Sequence, residues 1–229
     1  MKLFFHYCLH GFSNCYILGT DFPQNGEPGK HGTPSGEASP GEAPPGEAPP
    51  GEAVIIDPGS MDEEILTFIE NNDYKLRGVL ITHDHRNHVR GLRTLQRIYH
   101  VDVYAVNHIV LDHRTTMVRD GEILNLGPFR IEVISVPGHS SDSAVFKIGH
   151  LLFTGDTLSA GLVGTTASSY GASVQMTALR SKVLSLPGDY TVLPGHGPPS
   201  SLEAERRFNV GILYGRNKNQ RPAFTVNLW

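Results

Sequence analysis

The sequence is poor in cysteine: only two of its 229 residues are cysteines, Cys8 and Cys15. One pair is too few for a disulfide-stapled scaffold or for a zinc site built from thiolates. His6 and His10 interrupt the apolar start of the chain, and no small-residue cleavage site follows. We therefore expect no signal peptide, a cytoplasmic protein, and two thiols that are reduced and buried.

Long apolar runs are also missing. The longest apolar stretches are strand-sized, far below the roughly 20 residues that a transmembrane helix needs, so we expect no membrane span. Lys and Arg total 19 against 23 Asp and Glu, which gives a net charge of -4. This mildly acidic balance offers no general attraction to nucleic acid, and we expect none as a partner. The chain also lacks a G-x-S-x-G motif and a catalytic cysteine context, which argues against a covalent nucleophile.

One low-complexity region stands out. From Ser35 to Ala53 the chain repeats Gly-Glu-Ala-Pro-Pro with a period of five, and the residues before it are also rich in Gly and Pro. We predict that residues 19–53 form a disordered insertion in a domain of residues 1–210, followed by a C-terminal extension of residues 211–229. A tolerated surface loop is the simpler interpretation, because each doubling of loop length costs only about 0.6 kcal/mol. A partner-binding tether is the alternative.

The rest of the chain alternates short apolar segments with amphipathic ones. We predict strands at residues 2–8, 15–18, 54–56, 79–82, 101–106, 131–136, 144–148, 151–153 and 190–193. Helices are predicted near residues 61–69, 92–99 and 176–186, the first with a capping box of Ser60 and Glu63. Residues 107–120 are compatible with one more short helix. Because the helices are interspersed among more numerous strands, we expect a single α/β domain with helices outside two sheets.

The most distinctive motif is the segment Thr82-His83-Asp84-His85-Arg86-Asn87-His88, which directly follows the apolar run at residues 78–81. A strand that ends in alternating histidines directs two imidazoles to one point, and neutral imidazole is the commonest side-chain ligand for transition metals. Three further potential ligands follow later predicted strands in the same way: His139, Asp156 and His196. Converging strand ends of this kind predict a metal site built from loops on a rigid sheet.

These motifs resemble the metallo-β-lactamase superfamily, whose signature is H-x-H-x-D-H. The segments Pro137-Gly138-His139-Ser140, Thr154-Gly155-Asp156-Thr157-Leu158 and Leu193-Pro194-Gly195-His196-Gly197 follow in the order of that superfamily. The resemblance implies an αββα sandwich, with two mixed sheets and helices on their outer faces.

The resemblance also implies a ligand set. His83, His85 and His139 would hold a first metal, His88 and His196 a second, and Asp156 would bridge both. Asp57, in an Ile-Asp-Pro-Gly turn, resembles the aspartate of the first superfamily motif and would orient the histidine loop by hydrogen bonds. We expect one or two zinc ions, with iron as the alternative.

One position departs from the signature, because Asn87 stands where the superfamily has aspartate. Aspartate would give the second metal an anionic oxygen, whereas asparagine offers a neutral carbonyl oxygen and an amide nitrogen that is no ligand. We therefore expect a filled first site, a weak or empty second site and reduced activity. Asn87 remains a candidate catalytic residue together with Asp57 and Asp156.

Within the superfamily, the segment Gly155-Asp156-Thr157-Leu158 and the ending at residues 194–209 are similar to the glyoxalase II type. The small, single-domain hydroxyacylglutathione hydrolases are the members that the chain resembles most. The resemblance implies hydrolysis of a small acyl thioester, with metal-bound hydroxide as the nucleophile. A thiolate is a good leaving group, since its conjugate acid has a pKa near 8.5, so thioester cleavage needs no strong general acid.

Two other functions stay open. The first is a mononuclear iron oxidoreductase similar to the persulfide dioxygenases of the superfamily, with His83, His139 and Asp156 as ligands. The second is a weakly active or non-catalytic binding protein on the same fold. A row of arginines at helical spacing is either a solvated basic face or a recognition site for an anionic substrate: Arg86, Arg90, Arg93 and Arg97.

Overall fold

A computed structural model of the protein describes residues 1–20 and 50–214. Sixteen strands lie in these two ranges: β1 (Lys2–Cys8), β2 (Ser13–Gly19), β3 (Gly51–Ile56), β4 (Tyr74–Leu80), β5 (Val103–Ala105), β6 (Ile109–Val110), β7 (His113–Arg114), β8 (Thr116–Met117), β9 (Ile123–Leu126), β10 (Phe129–Ser135), β11 (Ala144–Ile148), β12 (Leu151–Gly155), β13 (Leu158–Ser159), β14 (Leu162–Val163), β15 (Thr191–Pro194) and β16 (Ser200–Ser201). The helices of the same ranges are α1 (Glu63–Asn71), α2 (Arg86–Val89), α3 (Leu92–Ile98), α4 (Ser169–Ala178), α5 (Leu202–Phe208) and α6 (Val210–Tyr214), and a π-helical turn (Leu179–Val183) continues α4.

The described strands form two six-stranded mixed sheets and two small hairpins. The first sheet has the order β1-β2-β3-β4-β5-β8, and the second has the order β16-β15-β12-β11-β10-β9. In the first sheet, β3, β4, β5 and β8 run parallel, while β1 and β2 join as antiparallel neighbours. In the second, only β12 and β15 pair in parallel.

Side-chain alternation along the strands divides the core into three layers. In β2, Tyr16 and Leu18 face the second sheet, while Ile17 faces the opposite way, towards α1 and α3. Ile134 and Leu152 of the second sheet face outward in the same manner, against α4, the π-helical turn and α5. Because both faces of each sheet are covered, central strands such as β2 are buried throughout. The predicted αββα sandwich with two mixed sheets is confirmed.

Both ends of the predicted insertion are wrong in detail. β3 begins at Gly51, and Ala53 is buried and pairs with Gly19 of β2. β2 and β3 therefore extend into the two ends of the predicted insertion, because backbone pairing continues for as long as both partners are extended. Residues 21–49, the rest of the predicted insertion, lie outside the described residues.

The predicted domain boundary at residue 210 is also wrong. The helix α6 crosses this boundary, and its residue Ile212 is buried against the outer core of the second sheet. The tail is polar and contains glycine, but the apolar side chain of Ile212 lies on the face of α6 that packs on the domain, so the packed domain continues past residue 210. Residues 215–229 of the predicted extension lie outside the described residues.

Local details differ from prediction at two further places. The N-cap of α1 is Asp62, whose carboxylate accepts a hydrogen bond from the amide of Ile65, and the hydroxyl of Ser60 donates to that carboxylate instead of capping the helix. The segment 107–120, which is compatible with a helix in sequence, contains the short strands β6, β7 and β8. Cys8 and Cys15 are buried and not disulfide-bonded, as predicted. No helix in the described ranges is long and apolar enough to cross a bilayer.

Candidate metal centre

The ends of four strands bring the predicted ligands together. His83 and His85 follow β4, and His88 lies on the short helix α2 just beyond them. His139 follows β10 and Asp156 follows β12 directly. His196 follows β15, which pairs in parallel with β12. Because these strands belong to two packed sheets, loops that are far apart in sequence meet at one place.

The first cluster contains four of these residues. One potential ligand atom from each of His83, His85, His139 and Asp156 lies within 4.8 Å of every other. Nε2 of His139 is 3.5 Å from Oδ2 of Asp156, and Nε2 of His83 is 3.8 Å from the same oxygen. Three imidazoles and one carboxylate at these separations are suitable for tetrahedral binding of a cation such as zinc.

A second cluster shares the same carboxylate. His88, Asp156 and His196 also offer ligand atoms within 4.8 Å of one another. Nε2 of His88 lies 3.4 Å from Oδ1 of Asp156, whereas Nε2 of His196 lies 3.5 Å from Oδ2. Oδ2 of Asp156 therefore lies near ligands of both clusters, while Oδ1 faces His88, so the carboxylate is shared between the two clusters.

In three of the imidazoles, the ring nitrogen opposite the cluster has a partner that fixes the orientation of the ring. Nδ1 of His139 donates to the carbonyl oxygen of Thr165 at 2.8 Å, and Nδ1 of His196 donates to that of Phe12 at 2.5 Å. Nδ1 of His83 lies 3.0 Å from the Thr82 hydroxyl oxygen. Since a neutral imidazole has one donor and one acceptor nitrogen, these bonds leave the Nε2 lone pairs directed at Asp156.

Buried atoms without partners show that the residues fit a metal ion. Nε2 of His83, Nε2 of His88 and Oδ1 of Asp156 are buried and have no hydrogen bond in the described structure. Nδ1 of His85 faces Nε2 of His139 at 3.1 Å, and two such nitrogens satisfy each other only when one carries a proton. Buried polar atoms in proteins are otherwise almost always paired. A cation among these atoms would satisfy all of them.

The charges of the cluster follow from burial and from Asp156. Burial, with the nearby His88, lowers the pKa of His83 to about 3, and burial together with His139 lowers the pKa of His85. Burial opposes ionisation of Asp156, but its interaction with the nearby His88 outweighs burial and lowers the pKa of Asp156 to about 2. Burial likewise disfavours the charged form of His88, yet Asp156 and Asp57 raise its pKa to about 9.

Asp57 supports the histidine loop from beneath. It lies at the end of β3 with a positive φ of 50°, and its side chain is buried. Its carboxylate accepts hydrogen bonds from the backbone amide and hydroxyl of Thr82, at 2.8 and 2.6 Å, and contacts Nδ1 of His88 at 3.1 Å. Asp57 thus contacts the predicted ligand His88, and the three residues Asp57, His83 and His88 also have potential ligand atoms within 4.8 Å of one another; its orienting role stays a prediction.

Asn87 lies at the edge of the second cluster. Its side-chain nitrogen Nδ2 is 2.8 Å from Nε2 of His196. Its backbone carbonyl accepts a hydrogen bond from the hydroxyl of Ser13 at 2.6 Å. Asn87 therefore contacts the atom of His196 that a metal would bind.

Several residues of the centre escaped sequence analysis. The hydroxyl of Thr82 and the carbonyls of Phe12 and Thr165 hold three of the histidines, and a carbonyl oxygen has no sequence signature at all. Gly195 is equally hidden: a Cβ there would lie 2.5 Å from both Oδ1 of Asp156 and Cε1 of His88. The sequence shows the segment Pro194-Gly195-His196, but it does not show which atoms that segment contacts.

Comparison with known proteins identifies the fold family. The sequence profile of the metallo-β-lactamase superfamily matches residues 48–196, which include every predicted metal ligand. The chain belongs to the metallo-β-lactamase superfamily. The resemblance drawn from the histidine motif is thereby confirmed.

Relatives within the superfamily are of the glyoxalase II type. The chain is 30% identical over 182 residues to the hydroxyacylglutathione hydrolase GloC of Haemophilus influenzae, an alignment that covers 69% of this chain and 85% of the relative. It is 36% identical over 148 residues to a hydroxyacylglutathione hydrolase of Francisella tularensis, which covers 63% of this chain but only 58% of the relative. About two fifths of the Francisella enzyme is therefore not matched by this chain in that alignment.

A solved structure supports the architecture of the superfamily. The BLEG-1 B3 metallo-β-lactamase superposes with a TM-score of 0.73, covering 93% of this chain and all of that chain. Its sequence identity is 22%, so the likeness concerns the fold.

Proposed function

We propose that the protein is a metal-dependent hydrolase that cleaves a small acyl thioester of the hydroxyacylglutathione type. The observation that carries the proposal is the convergence of His83, His85, His139 and Asp156 around unpaired buried atoms. The hydroxyacylglutathione hydrolases among the relatives support the substrate class.

The chain's residues prepare a site for a cation with a reactive water. A divalent cation bound there, zinc in the first instance, would lower the pKa of a coordinated water from 15.7 towards about 7 and polarise the substrate carbonyl. The lowered pKa values of His83 and His85 keep both imidazoles neutral at pH 7, so their lone pairs are available. Asp156 is anionic at the same pH and offsets part of the cation's charge.

The leaving group matches the chemistry of the site. Hydrolysis forms a C–O bond at the thioester carbonyl and breaks the C–S bond, which yields a carboxylate and a thiolate. Because a thiol has a pKa near 8.5, the thiolate departs without prior protonation at neutral pH. The site therefore needs ligands that bind and orient, and it does not need a strong general acid.

The test is thiol release by zinc-loaded protein from an S-hydroxyacyl glutathione. We expect turnover that disappears after chelation and returns with zinc, and that is lost in His139→Ala. Coenzyme A thioesters and an oxygen ester of the same acyl group measure how far glutathione and sulfur matter. Zinc-loaded protein that releases thiol from none of these thioesters would overturn the proposal and favour a binding protein on the same fold.

A second candidate function is a mononuclear iron dioxygenase acting on a persulfide. The hydrogen bond of Asn87 to His196 favours it, because that bond leaves one complete cluster, which contains the two histidines and one aspartate of such a site: His83, His139 and Asp156. Iron in the purified protein, with oxygen consumption that depends on a glutathione persulfide, would establish this function. Zinc in the purified protein and no oxygen consumption by the iron-loaded form would exclude it.

A further inference from the structure

The state of His196 can be read from its two hydrogen bonds. Its Nδ1 lies 2.5 Å from the carbonyl oxygen of Phe12, and a carbonyl only accepts, so Nδ1 carries the proton. In the neutral ring, Nε2 is then an acceptor. The group of Asn87 that lies 2.8 Å from Nε2 must therefore be the amide NH₂, which donates to it. This bond occupies the only lone pair through which His196 could bind a cation.

The position of Asn87 is held by its surroundings. Its backbone carbonyl accepts the hydrogen bond from Ser13, and the loop before Ser13 packs directly on it: a Cβ added at Gly11 would lie 2.9 Å from Cβ of Asn87. The same loop contains Phe12, whose carbonyl holds His196. One turn of chain thus fixes both partners of the Asn87–His196 bond.

Turning the amide over does not release His196 without cost. A flipped Asn87 would direct its carbonyl oxygen at the Nε2 lone pair, and two acceptors repel each other unless a cation lies between them. To bind His196, a second cation must therefore break the hydrogen bond between Asn87 and His196, and it gains only the neutral carbonyl oxygen of Asn87 as a ligand. Without His196, only His88 and Asp156 of the second cluster remain, which is too few for a tightly held cation.

We propose that Asn87 restricts the centre to one tightly held cation by donating a hydrogen bond to His196. The cation is held by His83, His85, His139 and Asp156, and His196 is a hydrogen-bonded residue of the site wall. The inference rests on the metal centre of the proposed function but not on the thioester substrate. Metal counting tests it even if the protein hydrolyses no thioester.

The experiment compares three proteins by zinc titration against a chromophoric chelator, with native mass spectrometry to count ions per chain. We expect one tightly bound zinc in the wild type and two in Asn87→Asp. The carboxylate of that variant donates no hydrogen bond to His196, and it supplies an anionic ligand. Asn87→Ala separates the two explanations, because it removes the donor without adding a ligand. If the hydrogen bond blocks His196, the second zinc binds about 2- to 10-fold more tightly to Asn87→Ala than to the wild type.

Two further variants guard the interpretation. Asn72→Ala removes an amide that hydrogen-bonds to Phe68 at the end of α1, remote from the centre, and is expected to keep the wild-type count. His196→Ala is expected to keep one zinc at wild-type affinity. A circular dichroism spectrum like that of the wild type shows, independently of zinc, that each variant has folded.

Three results would overturn the proposal. The first is a wild-type protein that binds two zinc ions with similar affinity. The second is an Asn87→Ala variant whose second zinc binds no more tightly than in the wild type, since the missing carboxylate alone would then explain the count. The third is a clear loss of first-zinc affinity in His196→Ala.

Discussion

The hydroxyl of Thr82 connects Asp57 to His83: it donates to Oδ2 of Asp57 at 2.6 Å, and its oxygen lies 3.0 Å from Nδ1 of His83. Because the hydroxyl proton is used on the carboxylate, the oxygen accepts the Nδ1 proton of His83. That proton placement leaves Nε2 of His83 with its lone pair directed into the centre.

Thr82→Val tests this connection. Valine has the same shape but neither donates to Asp57 nor accepts from His83, so His83 loses its orienting partner. We expect zinc to bind about 10- to 100-fold more weakly, as for other losses of groups that orient metal ligands. Zinc titration measures the change, and Thr94→Val at an exposed position of α3 provides the matched control. Equal affinities in the two variants would show that the hydroxyl has no orienting role.

Gly195→Ala tests the close approach of backbone to ligands. No positive φ is found at Gly195, so alanine strains no dihedral angle, but its Cβ would lie 2.5 Å from Oδ1 of Asp156 and from Cε1 of His88. We expect loss of zinc binding with the fold retained, measured by zinc count and circular dichroism. Gly149→Ala is the opposite control: its φ is 59° and the space is open, so it should cost about 1 kcal/mol of stability and keep the zinc.

Tyr16→Phe tests a buried hydrogen bond with a pH-dependent signature. The Tyr16 hydroxyl donates to the carbonyl of Pro194 at 2.7 Å, just before the Pro-Gly-His segment. Its loss should lower the free energy of unfolding by about 1 kcal/mol at pH 8, since the carbonyl keeps a second donor, the amide of Asn14. Urea unfolding measures this difference.

The pH dependence of that difference follows from the pKa of Tyr16. Burial raises this pKa above the value near 10 of an exposed phenol, against the opposing hydrogen bond from Asn14. Above pH 10 the unfolded chain loses the phenolic proton while the folded chain keeps it, so the wild type loses stability as the pH rises. We expect the gap between wild type and Tyr16→Phe to be full below pH 10 and to shrink above it. A gap that is constant to pH 11 would contradict the assigned pKa.

Zinc binding should stabilise the folded chain. The ligands come from four strand ends of two sheets, and the unfolded chain does not hold them together. At free zinc 100 times the dissociation constant, the free energy of unfolding should rise by about 2.7 kcal/mol. Thermal melts with zinc and with chelator measure the shift, which should vanish in His83→Ala. An equal shift in that variant would place the stabilising zinc elsewhere.

Much of the fold was predictable from local pattern. Apolar runs of strand length, with alternating residues such as Ile17 and Leu18 directed to different layers, already imply two covered sheets. Prediction failed where two local options compete or where packing extends an element. Ser60 and Asp62 are both good N-cap residues, and the tertiary contact of Asp62 with His6 favours the second.

The candidate donors of the centre can be identified from local features, namely the spacing of His83 and His85 and the strand ends before His139, Asp156 and His196. How those donors are arranged and paired depends on the tertiary structure. Asn87 meets His196 across 109 residues, and Phe12 meets His196 across 184. Such contacts depend on how the two sheets pack. No sequence pattern identifies the partner of a backbone carbonyl or of a side-chain amide.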